Sequence, residues 1–154
     1  MAKTRKKVTH PWVAVGTICE NLLEDKDGVL SVIRMVDRFN VPKPPAEWDG
    51  KNPLHLPLKG VVGFRSGDVK GKRTIRIFGT SPRGKRTKLY ELEVEFLGKD
   101  IGVQIKVNIL FGFVTEGTHW LDVYVEKWLA TRIPVTIVFE STSIQEGKNP
   151  AQKK

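Results

Sequence analysis

At 154 residues, 40% of them hydrophobic, the chain has the length of one domain and can bury about 68 to 70% of its unfolded surface, enough for a core of its own. A single cysteine, Cys19, excludes an internal disulfide framework, and no run approaches the ~20 apolar residues of a membrane-spanning helix. The net charge of +9 suggests a polyanion partner until it is located: residues 1–7 carry +4 and residues 146–154 carry +2, which leaves +3 for everything between.

Neither end has apolar periodicity, so residues 1–8 and 146–154 are expected to be basic disordered tails around a single domain at 9–145. No apolar segment follows the basic start, which argues against a signal peptide and makes a reducing cytoplasm the default compartment. Cys19 lies inside an apolar run and is expected to be a small buried hydrophobe.

Trp12 to Leu23 is rich in strand formers and leads to the turn Asp25-Lys-Asp-Gly28. Val29 to Val41 then reads as its hairpin partner. Ile33, Met35 and Phe39 lie on one parity and Leu30, Val32 and Val36 on the other, which leaves the register open and suggests a central strand or a bulge. Residues 42–57 hold Pro42, Pro44, Pro45, Pro53 and Pro57 and are expected to form a long surface loop, because proline interrupts a central strand. Trp48 in that loop either plugs an end of the domain or is a contact for a partner.

Leu56 to Arg65 is the next strand. From Lys70 to Lys88 there are eight basic residues and no acid. The following strand alternates Glu91, Glu93 and Glu95 with Tyr90, Leu92, Val94 and Phe96. A two-residue Arg83-Gly84 turn would set Ile75 opposite Leu92 and Ile77 opposite Tyr90 on one face, with Arg76 opposite Glu91 and Lys72 opposite Glu95 on the other. Arg83, Lys85, Arg86 and Lys88 would then stay unpaired at the hairpin tip, where they could meet phosphate or an acidic partner.

The clearest run is Ile101 to Ser141. Val103, Ile105, Val107, Ile109, Phe111 and Phe113 alternate with polar residues, Glu116-Gly117 interrupts, and Leu121, Val123 and Val125 alternate again. A three-residue loop at 116–118 would pair Phe111 with Val123 and Ile109 with Val125. Trp120 and Tyr124 fall on the opposite face, as cover for a neighbouring segment or as a contact surface. Trp128 joins them as a candidate contact, and Ile133 to Phe139 supplies a third strand.

His10, His55 and His119 stand in no metal-ligand spacing, Cys19 has no partner, and no Walker loop, nucleophile elbow, zinc-protease helix or dinucleotide fingerprint occurs. No metal, cofactor or catalytic residue is therefore expected, and the chain is not expected to be an enzyme. The fold expected is an all-β antiparallel sandwich of about eight strands, immunoglobulin-like first, jelly roll or C2-like second.

Three segments carry a resemblance: Ile18 to Phe39, Gly112 to Val125, and Arg132-Ile-Pro-Val135. Together they resemble an uncharacterised bacterial family of small single-domain proteins. That resemblance implies a bacterial or phage-encoded cytoplasmic β-sandwich and brings no catalytic residues with it. The expected function is an interaction module that binds an unidentified protein, with self-association left open and no membrane role. The alternative is polyanion or nucleic-acid binding through the 83–88 tip and the tails.

Overall fold

The structure, a computed structural model, describes residues 9–141; the tails expected at 1–8 and 146–154 lie outside them. Nine strands follow one another: β1 (Trp12–Glu24), β2 (Leu30–Met35), β3 (Arg38–Pro42), β4 (Leu54–Arg65), β5 (Lys70–Thr80), β6 (Arg86–Leu97), β7 (Gly102–Phe113), β8 (Gly117–Val125) and β9 (Trp128–Glu140). They form a four-stranded sheet, β2-β1-β4-β7, and a five-stranded sheet, β3-β9-β8-β5-β6. No helix among the described residues is long and apolar enough to cross a membrane.

The period-two residues of both sheets point between them. Ile18, Leu58, Val62, Phe64, Ile105, Val107, Ile109 and Phe111 from one sheet meet Ile75, Ile77, Phe96, Leu121, Val123, Val135 and Ile137 from the other, all buried. The chain changes sheet between β4 and β5, between β6 and β7, and again between β7 and β8, which sets β4 beside β7 and β5 beside β8. That crossing pattern, with β9, β8, β5 and β6 adjacent in one sheet, is the immunoglobulin-like sandwich.

Two expectations about pairing fail. β7 and β8 do not form a hairpin: Phe111 pairs with Leu56 and Ile109 with Leu58 of β4, while Val123 pairs with Ile77 and Thr131. Phe111 and Val123 do share the core, but from opposite sheets, and alternation reports the face a side chain takes without naming the neighbouring strand. Val29–Val41 is likewise two strands. β2 pairs antiparallel with β1 and β3 parallel with β9, each at a sheet edge. The crossing is fixed by Val36 N donating to Ile18 O (2.9 Å) and Thr136 N donating to Asp37 O (2.6 Å). Both parities recur within β2 itself, where Val32, Ile33 and Met35 are all exposed at the edge of the four-stranded sheet, so the mixed pattern did not mark a central strand.

The proline-rich loop is shorter than expected, since β4 starts at Leu54 and runs through Pro57. The β1–β4 ladder reaches only Cys19–Lys59, while Pro57 pairs with Leu110 of β7. At Pro57 β4 is therefore bonded on one side only, and a missing N–H is tolerated there. Trp48 is half-buried at the end of the sandwich, edge-on to Phe139 (6.5 Å), with Nε1 donating to Asn52 O (3.0 Å). Cys19 is 4% exposed, and its burial pushes the thiol above its ordinary pKa.

Candidate partner-binding face

The β5–β6 hairpin has the expected register through most of its length: Ile75 opposite Leu92, Arg76 opposite Glu91, Ile77 opposite Tyr90. Beyond Ile77 it shifts by one, so that Phe78 faces Lys88 and Thr80 faces Arg86. The extra residue is Leu89, which turns inward, and the bulge leaves both Lys88 and Glu91 on the outer face. The turn is longer than Arg83-Gly84 alone. Ser81 N donates to Lys85 O (2.9 Å), Gly84 N to Ser81 O (2.9 Å) and Lys85 N to Ser81 Oγ (3.1 Å).

The shift reassigns the basic tip. Arg76 Nε donates to Glu91 Oε2 at 2.7 Å, and Lys88 Nζ reaches the same oxygen at 3.5 Å. Lys88 is thus not unpaired as expected. The Arg76 hydrogen bond, then the Lys88 charge, hold the Glu91 carboxyl below the usual carboxylate range. Lys72 pairs with Glu93 (2.9 Å) instead of its register partner Glu95. Arg83 and Lys85 remain exposed at the tip, with no ion pair among the described residues.

Arg86 leaves the tip and lies across the outer face of the five-stranded sheet. Its guanidinium is 4.5 Å from the centre of the Phe78 ring and 5.0 Å from that of Tyr124, and those rings meet edge-on at 5.7 Å. Beside them the Arg132 guanidinium covers Trp120 at 4.8 Å. Arg132 Nε donates to Asp122 Oδ1 (2.6 Å) and Thr80 Oγ1 to Asp122 Oδ2 (2.6 Å). Asp122, 5% exposed, is the buried anchor of this cluster, and both of its oxygens are satisfied. The result is two arginine–aromatic stacks held flat on a rigid sheet, an arrangement that removes side-chain freedom before any partner arrives.

The structure therefore brings together Arg86, Trp120 and Tyr124, and adds Phe78, Arg132, Asp122 and Thr80, which the sequence reading did not single out. Phe78 was within reach: with Ile75 and Ile77 inward, it had to share the outer face with Arg76. Trp48 and Trp128 are elsewhere. Trp128 sits at the far end of the sandwich, half-buried against the core and stacked on His10 at 4.9 Å. Among the described residues no three His, Cys, Asp or Glu lie together as metal ligands.

No family model matches the chain, and no curated protein matches it in sequence. Solved structures do. Beta-glucosidase 3B from Thermotoga neapolitana, in complex with alpha-D-glucose, matches 58% of this chain at 13% identity with a TM-score of 0.45. The same enzyme in complex with glucose matches 64% at 15% identity with a TM-score of 0.44. An immunoglobulin-like protein from Pseudomonas aeruginosa matches 84% of this chain and 98% of its own length at 13% identity, with a TM-score of 0.41. The chain spans 15% of the beta-glucosidase chains it matches. These two matches correct the expectation that the chain is not an enzyme: similar chains include an enzyme's, so that expectation is withdrawn, and no activity is carried across at this identity.

Proposed function

We propose that the chain is an interaction module that binds a protein partner through the outer face of the five-stranded sheet, centred on Arg86, Phe78, Tyr124, Trp120 and Arg132. The observation that carries this reading is the Arg86 guanidinium stacked over two rings with no carboxylate partner among the described residues. Aromatic and arginine side chains are the residues enriched at protein interfaces and at their energetic centres. An unpaired guanidinium above a ring pair offers an acidic or carbonyl-rich partner a donor already in place. The resemblance stated above places such a module in a bacterial or phage-encoded protein, and the free, buried Cys19 accords with a reducing compartment.

A second reading has its own observation: Arg83 and Lys85, exposed at the tip beside Arg86, offer charge to a polyanion, to which the basic tails would add. One experiment separates the two. The 9–141 fragment and the full chain are titrated with a labelled oligonucleotide at about 50, 150 and 200 mM salt, values within the range where each neutralised phosphate steepens the salt dependence by a slope of about −0.9 on duplex. In parallel, affinity capture from a host extract compares the wild type with the Arg86→Ala/Tyr124→Ala variant. Capture of one protein that the variant loses, with no oligonucleotide binding by the fragment tighter than about 0.1 mM at 150 mM salt, supports the protein-binding face. A micromolar, salt-steep isotherm that survives removal of the tails and is lost in Arg83→Ala/Lys85→Ala gives the site to nucleic acid instead.

A further inference from the structure

A cleft of about 310 Å³ opens along the side of the sandwich where the edge strands β6 and β7 face each other, below the β5–β6 tip. Its wall is apolar, made by Leu89, Leu110, Phe111 and Phe113. Two lysines, Lys51 and Lys85, stand over it, and no Asp or Glu lines it. Neither lysine makes an ion pair among the described residues. The volume falls at the lower end of small-molecule sites, and cations gathered at the mouth of a low-dielectric cleft focus their field on whatever enters.

Two further details point to a built site. Gly79 forms part of the floor, where a Cβ would lie 3.0 Å from Leu89 Cδ1 and 3.3 Å from Phe111 Cε2. Glycine there keeps the backbone close without crowding the apolar wall. The second detail is His119, only 2% exposed and edge-on to Phe111 at 5.4 Å. Its Nε2 is 3.0 Å from Thr115 O, to which it donates. His119 lines the cleft together with Phe111 and Phe113, and its imidazole sets a polar ring against their apolar wall.

We propose that this cleft binds a small amphiphilic carboxylate, with the apolar body seated on Leu89, Leu110 and Phe111 and the carboxylate held by Lys51 and Lys85. A neutral apolar ligand would leave the lysines without a counter-ion. The chain's own tails, which are basic, carry the wrong sign. This site is independent of the partner-binding face, which lies on the outer side of the sheet, although Lys85 also stands at the hairpin tip of the polyanion reading.

The test uses the full chain with octanoate and 1-octanol, which share an apolar body and differ in the head, followed by calorimetry and by chemical-shift mapping. Octanoate should bind at least about tenfold tighter than octanol, with the largest shifts at His119 and Leu110. Lys51→Ala/Lys85→Ala should bring octanoate to the octanol level and leave octanol unchanged. Leu110→Asp, at a residue 64% exposed and so compatible with folding, should weaken both. The proposal is overturned by equal binding of octanoate and octanol, by undiminished octanoate affinity in the double lysine variant, by shifts confined to the outer face, or by no saturation with octanoate up to ~10 mM, which lies below the weakest affinity worth calling a site.

Discussion

The pairs β5–β6 and β7–β8 carry the same sequence signature, alternating apolar residues interrupted by a glycine-containing turn, yet the first closes as a hairpin and the second separates into two sheets. The difference lies in the connections. Between β5 and β6 the turn satisfies its own polar groups, with Ser81 capping Lys85 through both backbone and side chain and Gly84 taking a φ of +84°. Between β7 and β8 the connection spends its polar groups elsewhere: the Glu116 carboxylate accepts from Phe139 N of β9 at 2.5 Å. Gly117 follows with a φ of +112°, and a Cβ there would lie 3.1 Å from Pro82 Cγ. A turn bonded to itself makes a hairpin, and one bonded to a third strand carries the chain across the core.

Breaking the shared core should have the largest effect. Phe111 is 2% exposed and Ile75 0%, one from each sheet. Phe111→Ala is expected to lower stability by about 3 to 5 kcal/mol and Ile75→Ala by about 2 to 5 kcal/mol in urea denaturation. The position of β7 can be read directly: in a Cys19→Ser background, which removes the native thiol opposite position 59, cysteines at Lys59 and Asn108, register partners in the β4–β7 ladder, should cross-link on oxidation, whereas cysteines at Asn108 and Glu126 should not. Cross-linking of the second pair would restore the β7–β8 hairpin and refute the crossing.

Gly117→Ala comes next. It combines a backbone conformation that L residues rarely adopt with the Pro82 contact, and a loss of about 1 to 3 kcal/mol is expected, against near neutrality for an exposed surface change. Arg132→Ala should fall in a similar range, about 1 to 3 kcal/mol, because it leaves the buried Asp122 with only its Thr80 bond. An unchanged melting temperature in Arg132→Ala would mean that the Asp122 anchor holds nothing in place.

The smallest effect belongs to the ion pairs on the β5–β6 hairpin. Glu91→Gln should shift stability slightly and only at low salt, since the pair with Arg76 is solvent-screened. Glu91 and Asp100 both have depressed pKa values, the first chiefly through Arg76 and the second chiefly through Arg65. Their contribution is therefore fully present above the ordinary carboxylate range and is lost as pH falls through the depressed folded values. Melting temperature measured from neutral pH downward should decline in that acid range, and less so in Glu91→Gln.

Much of the molecule was legible in the chain. Period-two runs gave the strands, their inward faces and the two-layer class, and in β5–β6 a turn centred on Arg83-Gly84 gave the register, Arg76 opposite Glu91, that holds up to the bulge at Leu89. These are local properties: a strand's alternation and a turn's chemistry act over a few residues. The face expected to carry function was legible only in part. Trp120, Tyr124 and Arg86 could be proposed as contacts, but their union with Phe78 and Arg132 depends on β5, β8 and β9 lying side by side, and the β5–β8 adjacency joins residues as distant in the chain as Phe78 and Asp122. The sheet changes at β2–β3 and β7–β8, the tolerance of Pro57 and the cleft between two edge strands depend on the same thing. Pattern determines which way a side chain points; which strand it meets is settled by the global balance of core burial and backbone pairing, and that balance exists only once the chain has closed on itself.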